Sequence, residues 1–99
     1  MYRTELARQV ARQTGLSQRR VAAVLRASEG CIQQELSDGR TVTLPGFGVY
    51  YTREQPAGTI RSVRTGRTVQ VPAHRVAAFR VGAVLRRTVL RQRRRHRWL

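Results

Sequence analysis

The sequence predicts an α+β domain: two helices, then a short antiparallel sheet that runs out into a β-ribbon arm, then a closing helix. Three observations carry that expectation. Apolar spacing is helical up to about Ser37 and switches to strand alternation after Arg40. Gly15 and Gly39 stand where the two helical stretches should stop, as residues suited to a left-handed C-terminal position. Between Arg53 and Arg75 apolar residues are sparse and arginines recur at 61, 64 and 67. There Thr65-Gly66 marks a turn, with Ile60 and Val63 before it and Val69 and Val71 after it. An isolated ribbon of this kind is marginal in water, so it needs a body to project from and a partner to grip.

Thr4 is the expected N-cap of the first helix, with Glu5 complementing the dipole in the first turn. Leu6 and Val10, with Ala7 and Ala11 beside them, mark its apolar face. Ser17 is the second N-cap, and Leu16 is placed to staple onto Val21. The second helix, about Ser17 to Ser37, carries Val21, Val24, Leu25, Ser28, Cys31, Ile32 and Leu36 at the spacing of a buried face. Cys31 reads as a small buried hydrophobe on that face. The short connection makes the pair a tight αα-hairpin.

Val42 and Leu44 alternate with Thr41 and Thr43 as a short strand, Pro45-Gly46 turns the chain, and Phe47, Val49 and Tyr51 alternate as a second strand. Gly46 and Gly48 flank Phe47, which suggests a bulge or a close backbone approach. The second strand should continue past Arg53 into the arm and return through Thr68–Pro72, each limb being about ten residues, or ~30 Å long. The last helix is expected from near Arg75, on a stripe of Val76, Phe79, Val84, Leu85 and Val89, with Gly82 allowing close approach of a neighbour. Residues 91–99 form a basic tail, either frayed or a helical extension, in which Trp98 could stack on a base or hang free.

Ninety-nine residues fit one small domain. With residues 53–75 projecting, the remainder is short for a core, which points to a dimer whose subunits complete each other. The net charge is +15 and the sequence pI about 12.0. All twenty basic residues are arginines, five of them in the tail, which leaves +10 for residues 1–90. The arginine fork suits phosphate oxygens and narrow minor grooves, although a GC-rich genome would give the same choice. A polyanion is the partner such a charge implies. One cysteine excludes an intramolecular disulfide, and His74 and His96 stand apart without carboxylates spaced for a metal. Five scattered acids and two distant histidines offer no nucleophile–base set, so neither an enzyme, a cofactor nor a small-molecule substrate is expected. No apolar run approaches a membrane span and no signal-peptide core is present, so a cytoplasmic protein is expected.

Five segments then match one family in order and spacing: Thr4-Glu5-Leu6, Thr14-Gly15-Leu16-Ser17, Leu44-Pro45-Gly46-Phe47-Gly48, Arg64-Thr65-Gly66-Arg67 and Phe79-Arg80-Val81-Gly82. From about Arg3 to Leu90 the chain resembles the HU/IHF class of bacterial, nucleoid-associated DNA-bending proteins. The resemblance implies an intertwined dimer with a helical base, a β-saddle and two arms that enter the minor groove of double-stranded DNA. The dimer is either homotypic, as in HU, or paired with a sister chain, as in integration host factor. It implies an architectural protein with low sequence specificity that compacts DNA, with residues 1–90 as the DNA-binding domain and the tail as an addition. Carried over by position, Arg53, Arg61, Arg64 and Arg67 would line the arm, and Arg75, Arg80 and Arg86 would meet phosphates on the body. Arg3, Ile60 and Thr65 complete the expected contact set, although Ile60 reads first as packing across the hairpin, and Phe47 and Phe79 would serve the dimer core. The family's apolar wedge is a proline, and its position here is Val63, which either presses on a base step or packs across the hairpin. Two other classes remain: a helix-turn-helix reader built on Leu6–Leu25, and a basic RNA- or ribosome-associated protein.

Overall fold

The computed structural model describes residues 1–96. Helix α1 spans Arg3–Thr14 and is capped by Tyr2, two residues before the expected Thr4. The reason lies in Glu5, whose Oε1 reaches back to the Tyr2 backbone N–H at 3.5 Å, the returning half of a capping box. Gly15, at φ 76°, closes the helix by donating its N–H to Ala11 O at 2.9 Å. Helix α2, Gln18–Ser37, starts as expected at Ser17, whose Oγ accepts the Arg20 N–H at 3.2 Å. The hairpin buries Ala7 and Val21, with Val10, Leu25, Ile32 and Leu36 half-buried around them. Val24, Ser28 and Cys31 are exposed, so Cys31 is not the buried hydrophobe that its spacing suggested. Those three residues share an arc of α2 beside the one α1 covers, and a single neighbouring helix cannot cover both.

The second unit of the chain begins at Gly39. It contains β1 (Val42–Leu44), β2 (Gly48–Gln55), β3 (Gly58–Arg61), β4 (Thr68–Val71) and β5 (His74–Val81), then α3 (Ala83–His96). Strands β1, β2 and β5 form an antiparallel sheet in the order β1-β2-β5, and β3 and β4 form a separate two-stranded ribbon. Pro45-Gly46 turns β1 into β2: the Phe47 N–H donates to Leu44 O at 2.9 Å and Gly46 sits at φ 80°, the third position of a type II turn.

The stretch from Arg75 that read as the start of the last helix is strand. It pairs along the whole of β2, from Gly48↔Val81 to Gln55↔His74. The three-residue spacing of Val76 and Phe79 mimics a helical face, but an unpaired β2 edge would leave the backbone N–H and C=O of every second residue to satisfy elsewhere. Helix begins only after Gly82, where the turn supplies the N-terminal cap. Gly46 O accepts the N–H groups of Val84 and Leu85 at 3.0 and 3.2 Å, and Phe47 O accepts that of Gly82 at 2.7 Å. A Cβ on Gly82 would collide with the Gly46 and Phe47 backbone, and one on Gly48 with the Phe79 ring, so both close approaches expected at these glycines are present. The Phe79 ring lies 4.8 Å from that of Tyr50 and 5.9 Å from that of Phe47, both tilted.

Strand β1 pairs β2 only as far as Tyr50, so at Arg53 and Gln55 the β2–β5 ladder is already two-stranded, and it is interrupted on both limbs at one level, at Pro56-Ala57 and Pro72-Ala73. A proline has no N–H to give a ladder, and here each limb has one. Beyond the break the ribbon pairs again from Gly58↔Val71 through Arg61↔Thr68, an outer ladder about 13 Å long. Helix α3 continues past Leu90 through His96, so the helical alternative for that part of the tail holds. Trp98 lies outside the described residues.

Candidate nucleic-acid interface

The arm's turn is built by short bonds around Ser62. Its N–H donates to Arg67 O and its carbonyl accepts the Gly66 N–H, both at 2.8 Å. The Ser62 Oγ accepts the Thr65 N–H at 3.4 Å, and Thr65 Oγ1 accepts the Arg67 N–H at 3.3 Å. Thr65, expected to contact DNA, therefore already helps to shape the turn. At the apex Val63 is fully exposed, with a relative accessibility of 103%. Packing across the hairpin does not describe it. Ile60 does face a neighbour, pairing with Val69 across the ribbon.

Arg61, Arg64 and Arg67 are all exposed on this ribbon, which contains no acidic residue. Fourteen of the twenty arginines and only one of the five acids, Glu54, fall in residues 39–99, giving +13 there against +2 in residues 1–38. In an exposed ribbon such charges repel unless an anion neutralises them.

The remaining expected contacts sit on the sheet, on α3 and on α1. Arg53 donates from Nη1 to Gln55 Oε1 at 2.7 Å, which aims its guanidinium along β2. Arg80 lies over the Tyr51 ring, 5.0 Å from its centroid. Because Val49, Tyr51 and Arg53 alternate with Tyr50 and Thr52, and Arg80 opposes Val49, the Arg53 and Arg80 side chains share one sheet face. Arg75 opposes Glu54 on the other face, so the sheet does not bring Arg75 together with that pair. Arg86 is exposed in the first turns of α3. Phe47 and Phe79, the expected dimer-core residues, are each more than one-third exposed in the single chain.

Arg3 is engaged already. Its Nε and Nη2 donate to the two carboxylate oxygens of Glu29, each at 2.8 Å, a bidentate pair between α1 and α2. Those hydrogen bonds, more than the ion's field, hold the Glu29 carboxyl below its ordinary range and the Arg3 guanidinium above its own. A phosphate at Arg3 would have to share it with Glu29. Sequence reasoning passed over Ser62 and the Arg80–Tyr51 contact. It also passed over the paired prolines, whose signal was plain: Pro56 and Pro72 are two of only three prolines, one on each limb. Among the described residues no helix is long and apolar enough to cross a membrane.

Comparison with known proteins places these features in a context. A family model described as bacterial DNA-binding protein matches residues 1–90. DNA-binding protein HU of Staphylococcus aureus (strain COL) is 35% identical over 89 residues, which cover 90% of this chain and 99% of that protein. DNA-binding protein HU of Nostoc sp. is 36% identical over 89 residues, 90% of this chain and 95% of that one. Among solved structures, a cocrystal of Anabaena HU with DNA aligns with a TM-score of 0.83 at 36% identity, covering 90% of this chain and 97% of that chain. An HU mutant from Thermotoga maritima aligns with a TM-score of 0.67 at 24% identity over 90% of this chain and 99% of that chain, a likeness of fold.

Proposed function

Since the chain belongs to the bacterial DNA-binding protein family, that of HU, we propose that it is a non-catalytic architectural protein of the nucleoid that binds duplex DNA with low sequence specificity through the minor groove. The observation that carries this reading is the arm: a ribbon with no core of its own, three exposed arginines, no acid, and an exposed apolar apex. Strands ~4.8 Å apart, with side chains on both faces, exceed a B-form minor groove of ~6 Å, so entry requires the groove to widen. Widening the minor groove bends the duplex, and the deformation is offset by phosphate contacts that only bent DNA offers. Val63 is the wedge in this reading, Arg61, Arg64 and Arg67 follow the groove, and Arg53 and Arg80 meet phosphates from the sheet. Ile60, Thr65, Arg75, Arg86 and Arg3 are placed in supporting roles, Arg3 at the cost of its bond to Glu29. A helix-turn-helix reading of Leu6–Leu25 loses ground because Val21 is buried and Leu25 half-buried against α1.

The working unit in this reading is a homodimer. Only Ala7 and Val21 are buried hydrophobics among the described residues, while Phe47, Phe79, Val84 and Val89 remain open. A chain of this size with so small an interior is stabilised by a second copy that covers those residues. Residues 91–99 lie beyond the family match and add five arginines to the domain of residues 1–90.

Anisotropy titration of a short labelled duplex tests the function. Neutralising ~6–10 phosphates makes affinity fall by ~10³–10⁵ between 50 and 200 mM salt. A fall of less than about tenfold over that range overturns the reading.

A further inference from the structure

Paired residues of an antiparallel ladder share a face, and successive pairs alternate. In the arm this puts Gly58, Ile60, Val69 and Val71 on one side and Thr59, Arg61, Thr68 and Gln70 on the other. The ribbon is therefore two-sided in chemistry: one side aliphatic, the other hydroxyl, amide and guanidinium. Ile60 and Val69 oppose one another, yet each keeps more than half its surface open, at 59% and 52%. A ribbon bathed in water on both sides has no use for such a face.

An open cleft of about 410 Å³ at the base of the arm is lined by Gly58, Thr59, Ile60 and Val71 of the ribbon together with Gln55, His74 and Val76 of the sheet. Part of the aliphatic side, Ile60 and Val71, therefore opens onto a cleft rather than onto a covering element of the chain. Arg61, on the other side of the same ribbon, sets a cation beside it for a polyanion.

We propose that this aliphatic face packs against the deoxyribose walls of the minor groove and selects DNA over RNA. The inference rests on the minor-groove reading above and adds the basis of selection to it. Deoxyribose presents C–H surface at C2′, which an aliphatic side chain can cover without loss. Ribose presents a 2′-hydroxyl, and A-form duplexes display these hydroxyls across the minor groove. Against Ile60 and Val69 such a hydroxyl is desolvated with no partner, which lowers affinity roughly tenfold per group. The arginines give no such discrimination, because both nucleic acids carry the same phosphate.

The test compares the full chain with Ile60→Thr/Val69→Thr, which keeps β-branched shape and charge while placing hydroxyls on the face. Each protein is titrated onto a duplex DNA and a duplex RNA of matching sequence, at several salt concentrations. The native chain is expected to prefer DNA at least ~10-fold. The variant's preference should fall toward unity with the DNA salt slope unchanged, since that slope counts phosphates. Arg61→Ala, on the opposite face, should weaken both nucleic acids and reduce the slope while leaving the ratio in place. A native chain without preference, a Thr variant that keeps the native ratio, or Arg61→Ala shifting the ratio equally each overturns the inference. Failure of the underlying reading is separate: DNA binding itself would show a shallow salt slope.

Discussion

Gly82 and Val63 mark two opposite uses of a single residue. At Gly82 a methyl group would have to enter the backbone of the Pro45–Phe47 turn, which cannot yield as a flexible side chain would. Gly82→Ala should therefore cost about 1–3 kcal/mol or more, read as a lower urea midpoint with an unchanged slope. Val63 is fully exposed, so Val63→Ser should leave stability within about 0.5 kcal/mol. The same change should reduce bending of a doubly labelled duplex measured by fluorescence transfer, and an unaltered end-to-end distance would remove Val63 from the wedge role. Glu29 supplies a pH signature. Its folded pKa is lowered, so the stabilisation it brings is complete above the ordinary carboxylate pKa, ~4.3, and is lost as pH falls through the lower folded value. Native chain and Glu29→Gln should differ in urea midpoint near neutrality and converge below that range, the Arg3 guanidinium staying charged throughout. Most of these residues were legible in sequence because each sits in a short pattern, as Gly82 does after Phe79-Arg80-Val81. The Arg3–Glu29 pair was not, because its partners are 26 positions apart and only the docking of α1 on α2 joins them.

At the scale of elements, legibility followed whether the deciding interactions were local. The helix hairpin was readable because its stops and caps lie within a few residues: Ser17 for α2, Gly15 for α1. Ser17→Ala should cost about 1 kcal/mol, checked by thermal or urea unfolding. Strand β5 was misread because its fate is decided by β2, some twenty-five residues away, against a local spacing that imitates a helix. The joint between sheet and arm is set by two prolines, Pro56 and Pro72, one on each limb within the unpaired step between the two ladders. There the Pro72 carbonyl lies 2.9 Å from His74 Nδ1, and the prolines give no N–H to a strand partner. Restoring donors with Pro56→Ala/Pro72→Ala should let the ladder run through and slow amide exchange at Ala57 and Ala73 about fivefold or more. Unchanged exchange would mean that something other than the missing donors opens the joint.

The whole molecule is characterised by what it leaves uncovered. Large apolar side chains are exposed in both units while Ala7 and Val21 are the buried hydrophobics among the described residues, and the charge is gathered into the second unit. If two copies complete one core, folding is bimolecular, and each tenfold dilution lowers apparent stability by about 1.4 kcal/mol per dimer. Melting temperature should then fall as the protein is diluted, and a concentration-independent melt would show a monomer stable by itself. The composition announced both the small core and the anionic partner. It was silent on how much of the arm is arm, since that depends on where pairing ends.

That boundary has a further consequence. Gln55 and His74, the final rungs of the β2–β5 ladder, already face each other as the ends of a hairpin. A two-residue turn such as Asn-Gly is the ordinary way to join such ends. Residues 56–73 therefore occupy the position of an insertion in a simple β-hairpin, free to lengthen, shorten or be exchanged over generations without shifting the register of the sheet beneath. Selection can revise the grip while the scaffold stays as it is.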